Sequence, residues 1–158
     1  MEISPLVREF DHYAWMGQVL DHFARAEQAL GNFSKALDLP IQNGSLGSLQ
    51  TVRQKLAGVP DKKAKNLLDR IEAWLANRPY RHLLAHATLV TVFDARGAIM
   101  LVTRHLPRDA QDVTPDRVWT HEDQMKLLRE ANNDSRSICD HVKAILANDT
   151  LMAKLKAL

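Results

Sequence analysis

Apolar residues recur at helical spacing through most of this chain, and in one place the spacing gives way to strand-like composition. Met16, Leu20, Phe23, Leu30, Phe33 and Leu37 stand three, four or seven positions apart, which predicts one long helix from about Leu6 to Leu39 with a single buried stripe. Pro40 closes it, and Asn43-Gly44 marks a loop. Ser45 to Ala57 predicts a short helix, broken by Gly58-Val59-Pro60-Asp61. Ala64, Leu67, Leu68, Ile71, Trp74 and Leu75 predict another from Asp61 to Asn77. Pro79 lacks the backbone donor and disfavours helix at the residue before it, so a kink or a fresh helical start is expected there. After His86 the chain reads Ala-Thr-Leu-Val-Thr-Val-Phe-Asp, then Ala95-Arg96-Gly97, then Ala-Ile-Met-Leu-Val-Thr-Arg-His. β-branched residues on both sides of a short glycine turn predict a hairpin over about 88–104. Two strands are marginal alone, so the hairpin is expected to lie on helices or to pair with another copy. A Pro- and Asp-rich loop covers Leu106 to Pro115, and Thr120-His-Glu-Asp123 resembles a capping box opening a long helix over about 121–148. Met125, Leu128, Ile138, Val142 and Ile145 are its expected inner face. Residues 149–158 are expected to extend that helix or to fray.

The first helix carries a second, narrower stripe. Gly17, Ala24 and Gly31 fall seven apart, with Leu20 and Glu27 between them. Glycine inside a helix costs up to ~1 kcal/mol, and close approach of another helix is the expected compensation. Glu27 in that stripe must be paired or lie at water. Arg78 and Arg81 are its candidate partners, and rotation out to solvent is the other reading.

Length and composition confine the class. With 158 residues, 46% hydrophobic and 25% charged, the chain fits one soluble globular domain spanning 1–158. No apolar run approaches the ~18 residues of a membrane span, and the opening Met-Glu-Ile-Ser-Pro lacks the regions of a signal peptide. A cytoplasmic protein without membrane contact is therefore expected. The lone Cys139 is read as a small buried hydrophobe rather than a nucleophile. Net charge is only +2, but eight Lys and Arg against three Asp and Glu between Arg53 and His86 leave that stretch at +5 and the remainder at −3. A basic stretch suits a polyanionic partner, although a solvated charged face has the same pattern.

The candidate chemistry lies in Arg81-His82-Leu83-Leu84-Ala85-His86. On a helix His82 and His86 share a face, and Arg81 stands beside them. Arginine grips phosphate in bidentate fashion and imidazole moves protons near neutral pH, so the group suggests phosphodiester chemistry. Ordinary surface imidazoles are the plainer reading. Zinc is disfavoured, because the Glu of a His-Glu-x-x-His helix is missing and no third ligand follows. Trp15, Trp74 and Trp119 are read as core, and His12, His22, His105, His121 and His141 show no suggestive arrangement. Arg136 and His141 repeat the Arg-x4-His spacing within a helix among core residues, which reads as coincidence.

Arg81, the polar His82 directly after it, His86, their place after two or three helices and the helical pattern together resemble the HEPN superfamily. The commoner Arg-Asn opening of that family is replaced here by Arg-His. The resemblance implies a mainly α fold, an antiparallel bundle of four to five helices with the hairpin following the motif helix. It also implies a metal-independent endoribonuclease of the toxin and defence kind, with Arg81 and His86 catalytic and no cofactor. His82, Arg78 and Glu27 would bind substrate or support the catalytic pair. Cleavage of RNA without metal needs a base for the 2′-hydroxyl, an acid for the leaving 5′-oxygen and a cation at the phosphate. A homodimer with facing motifs would supply two proton carriers, and the small-residue stripe offers a contact surface. The other reading is a non-catalytic HEPN-like module that binds a nucleotide or a partner protein, such as an antitoxin or a nucleotidyltransferase.

Overall fold

The computed structural model describes residues 5–40, 46–106, 110 and 115–158, with the side chains of the first helix from His12 onward. Its order is α1 (Pro5–Ala36), α2 (Leu49–Gly58), α3 (Lys62–His86), β1 (Ala87–Phe93), β2 (Ile99–His105), β3 (Arg117–Trp119), α4 (His121–Leu146) and α5 (Asp149–Ala157). The protein is mainly helical with a small antiparallel sheet, in strand order β1-β2-β3. No described helix is long and apolar enough to cross a membrane.

The chain divides into two compact units. One takes α1 as far as Asp21 together with Asn77–Glu130; the other takes His22–Ala76 and Ala131–Leu158. In the first unit the buried side chains include Trp15, Val19, Leu83, Leu84, Leu101, Trp119 and Leu127. The ring centroids of Trp15 and Trp119 lie 5.3 Å apart, and those of Tyr80 and Trp119 5.5 Å. The second unit centres on Phe23, Leu30, Phe33, Leu67, Ile71 and Trp74, with Ile138, Ile145 and Leu155 also fully buried. All three tryptophans are core residues, as their positions in apolar stripes predict.

The apolar faces are rotated slightly from the expected ones. On α1 the expected Phe23, Leu30, Phe33 and Leu37 are buried, but at its N-terminal end Trp15 and Val19 are buried in place of Met16 and Leu20, which are half-buried. On α4 the buried line runs through Gln124, Leu127, Ala131, Ile138, Val142 and Ile145, and Met125 is exposed. Polar contacts fix that rotation: the Trp15 indole N–H donates to the Gln124 carbonyl at 2.7 Å, and His12 Nδ1 meets Gln124 Oε1 at 3.2 Å. The small-residue stripe does not face a neighbouring helix along its whole length. Gly17 and Ala24 are exposed, and a Cβ built on Gly17 would meet nothing within 4 Å.

No break occurs at Pro79. α3 is continuous from Lys62 to His86 with Pro79 inside it. Trp74 before the proline and Leu83 and Leu84 after it are buried. Burial of such side chains stabilises by about 1.5–3 kcal/mol each, enough to offset the ~3 kcal/mol of an interior proline. The start of α3 is set by Asp61, whose Oδ1 accepts from the backbone N–H groups of Lys63 and Ala64 at 2.7 and 3.3 Å.

The hairpin forms where expected, with Ala87 opposite His105 and Phe93 opposite Ile99. Asp94 Oδ1 accepts from the backbone N–H groups of Arg96 and Ala98, both at 2.8 Å, and Gly97 takes a φ of 78°. A third strand, unforeseen, pairs Leu101 with Trp119 and Thr103 with Arg117. Most of the expected 106–115 loop lies outside the described residues. The capping box is present: Asp123 Oδ2 accepts from the Thr120 N–H at 3.1 Å and its hydroxyl at 2.8 Å, and the Asp123 N–H donates back to Thr120 Oγ1 at 3.1 Å. Beyond α4 the chain neither extends that helix nor frays. Asn148 caps a separate α5, its side chain accepting from the Leu151 N–H at 3.0 Å.

Candidate functional site

The segment Arg78–His86 is the C-terminal end of α3, and β1 starts at the next residue without an intervening loop. Helical geometry therefore fixes the pair His82 and His86. Their ring centroids lie 4.7 Å apart at an interplanar angle of 53°. His86 is exposed, while Arg78, Arg81 and His82 are half-buried. A ring that moves protons to a bound polymer must be reachable, and His86 meets that condition. Glu27 is half-buried in the part of α1 that belongs to the second unit.

The sheet brings in a third imidazole. Because β2 returns antiparallel to β1, His105 comes opposite Ala87, the residue that follows the motif. Its ring centroid lies 6.1 Å from that of His82. His105 is buried, and its backbone N–H donates to Asp116 Oδ1 at 3.0 Å. The three rings thus run from exposed His86 through half-buried His82 to buried His105. A signal for His105 was present in the sequence: a turn centred on Arg96 with strands over 88–104 already sets residue 87 against residue 105.

The helix end is braced by β3. The Arg117 guanidinium carbon sits 4.5 Å from the Tyr80 ring centroid and 4.3 Å from that of Trp119. Arg117 Nη1 donates to the Tyr80 hydroxyl at 3.2 Å. The Trp119 indole N–H donates to Thr103 Oγ1 at 3.0 Å, and the Thr103 hydroxyl donates to the Arg117 carbonyl at 3.3 Å. Tyr80 stands next to Arg81, so this network holds the backbone that carries the motif. No pattern along the chain announces Arg117, because its two aromatic partners come from different elements.

Asp123 is a carboxylate whose ionisation is displaced. The backbone N–H of Thr120 holds its carboxyl below the usual range, with the Thr120 hydroxyl and the charges of Arg117 and Lys126 acting in the same direction against a small desolvation. It serves the α4 cap and stands apart from the three histidines in role. Among the described residues no three His, Cys, Asp or Glu side chains are grouped to hold a metal ion. In comparisons with known proteins, the chain matches no family model, no curated protein and no solved structure.

Proposed function

We propose that this chain is a metal-independent endoribonuclease of the HEPN kind, with His82 and His86 as its proton carriers and Arg81 as its phosphate ligand. The observation that carries this reading is the pair of imidazoles with ring centroids 4.7 Å apart on the motif helix, with His86 exposed and Arg81 next to His82 in sequence. In the reaction, one imidazole in its neutral form takes the proton of a ribose 2′-hydroxyl. The 2′-oxygen attacks phosphorus, the bond to the 5′-oxygen breaks, and the second imidazole, protonated, gives its proton to that leaving oxygen. A 2′,3′-cyclic phosphate and a 5′-hydroxyl result. Arg81 meets the charge on the transferring phosphate through paired N–H donors. Arg78, one turn earlier, is a further cation for the adjoining backbone. The buried His105 ring has its centroid 6.1 Å from that of His82, and a supporting part beside His82 belongs to the same proposal.

The test is labelled RNA incubated with the protein in EDTA, beside Arg81→Ala, His82→Ala and His86→Ala. Wild type is expected to leave cyclic-phosphate ends, each substitution to slow cleavage by about 10²–10⁴, and DNA of the same sequence to survive for want of a 2′-hydroxyl. RNA left intact by wild type across single-stranded and structured substrates overturns the enzyme and favours a non-catalytic module binding a nucleotide or a partner protein. Homodimerisation belongs to the same proposal as a matter of assembly, and the exposed face carrying Gly17 and Ala24 is its candidate surface.

A further inference from the structure

The repeated spacing Arg136-x4-His141 is not part of a buried stripe. On α4 the inward positions of this stretch are Asp134, Ser135, Ile138 and Val142, whereas Arg136 and Asp140 are exposed and Ser137 and His141 half-exposed. Asn133, Arg136, Ser137, Asp140 and His141 follow one another at three- and four-residue steps, so they form a single polar face. With Arg70 of α3 they line a pocket of about 470 Å³, wholly within the second unit. That volume lies in the range of small-molecule sites.

Two features separate this pocket from an ordinary solvated face. Its two arginines come from different helices and line one concavity with a single acidic residue, Asp140. Among the described residues, neither arginine, nor Asp140, nor His141 takes part in a hydrogen bond or ion pair. The arginines at Arg53 and Arg117, by contrast, are engaged by Glu72 and by two aromatic rings. Guanidinium pairs suit the oxygens of a phosphate, and Asn133, Ser137 and His141 add neutral donors. Asp140 cannot donate to phosphate. It can accept from hydroxyl groups, which selects a ligand carrying both functions.

From this set we infer that the pocket binds a phosphorylated sugar, with Arg70 and Arg136 on the phosphate and Asp140 on a sugar hydroxyl. The site is independent of the ribonuclease reading, since it shares no residue with Arg81, His82 or His86.

The test is calorimetric titration of the whole chain with ribose 5-phosphate, inorganic phosphate and ribose. Ribose 5-phosphate is expected to bind most tightly, at about 1 mM or better, inorganic phosphate more weakly, and ribose not measurably. Arg70→Ala and Arg136→Ala should each weaken ribose 5-phosphate by about ten-fold or more. Arg70→Lys and Arg136→Lys, which keep the charge and disturb an exposed surface least, should weaken it by a smaller factor. Asp140→Asn should lower the preference for ribose 5-phosphate over phosphate. The double variant Arg81→Ala/His86→Ala should bind like wild type. Absence of binding, equal binding by the Arg70 and Arg136 variants, or loss of binding in the Arg81/His86 variant would each overturn the assignment, the last by moving the ligand to the α3 end.

Discussion

His82 stands between two other imidazoles, and what it does there separates chemistry from scaffolding. If His82 carries a proton, His82→Asn keeps a polar side chain able to hydrogen-bond yet loses general acid–base action, and cleavage should fall by about 10²–10⁴. A purely orienting His82 would be replaced by Asn with little loss, which single-turnover rates on labelled RNA would reveal. His105→Asn should act differently. Its ring lies 6.1 Å from His82 and is buried, so the substitution should slow cleavage by less than His82→Asn while leaving product ends unchanged. The His82 and His86 pair was legible from spacing alone, because an i, i+4 interval on a helix brings side chains together whatever the rest of the fold does. His105 needed the hairpin register and Arg117 needed three strands. Those are long-range pairings that a local reading resolves only when the turn is placed to the residue.

The start of α4 shows how a few side chains settle the limits of an element. Thr120 and Asp123 exchange three hydrogen bonds across the first turn. Thr120→Ala should lower stability by about 1 kcal/mol at neutral pH, read as a shift in the urea midpoint. The same variant carries a pH consequence. Asp123 ionises below its ordinary range in the folded chain, chiefly through the Thr120 N–H, so its contribution is present above the unfolded value and is lost as pH falls through the folded one. Wild type should lose stability on acidification below about pH 4, and Thr120→Ala should show a shallower loss over the same window. Pro79 makes the opposite case, where tertiary burial overrides local preference. The residue is exposed and interior to α3, so Pro79→Ala should restore a helical donor without losing packing and raise stability by about 1–3 kcal/mol in urea unfolding. Element types were legible because helix and strand periods differ. A fresh helical start does not occur at Pro79, because the cost of the proline is local whereas the compensating burial of Trp74, Leu83 and Leu84 is not.

At the scale of the whole molecule, the question is whether one chain or two make a complete catalytic centre. The sequence argument for a dimer rested on a shortage: two proton carriers are required, and Arg-x4-His offers one. In the folded chain the ring centroids of His82 and His86 lie 4.7 Å apart, so under the proposed reading one helix end carries two imidazoles and the Arg81 side chain. Self-association then sets assembly without having to complete the chemistry. Mixing the inactive variants Arg81→Ala and His86→Ala separates these cases. A centre shared between protomers would be restored in one half of each mixed dimer, because one face would hold an intact Arg81 beside an intact His86 from the partner. A centre contained in one chain cannot be restored, since every protomer in the mixture lacks one of the two groups. The expected outcome is no recovery after the variants are co-unfolded and refolded together, with light scattering reporting the assembly formed. Recovery approaching about a quarter of the wild-type rate, since half of the dimers are mixed and each holds one intact centre of two, would mean that Arg81 of one chain acts with His86 of the other.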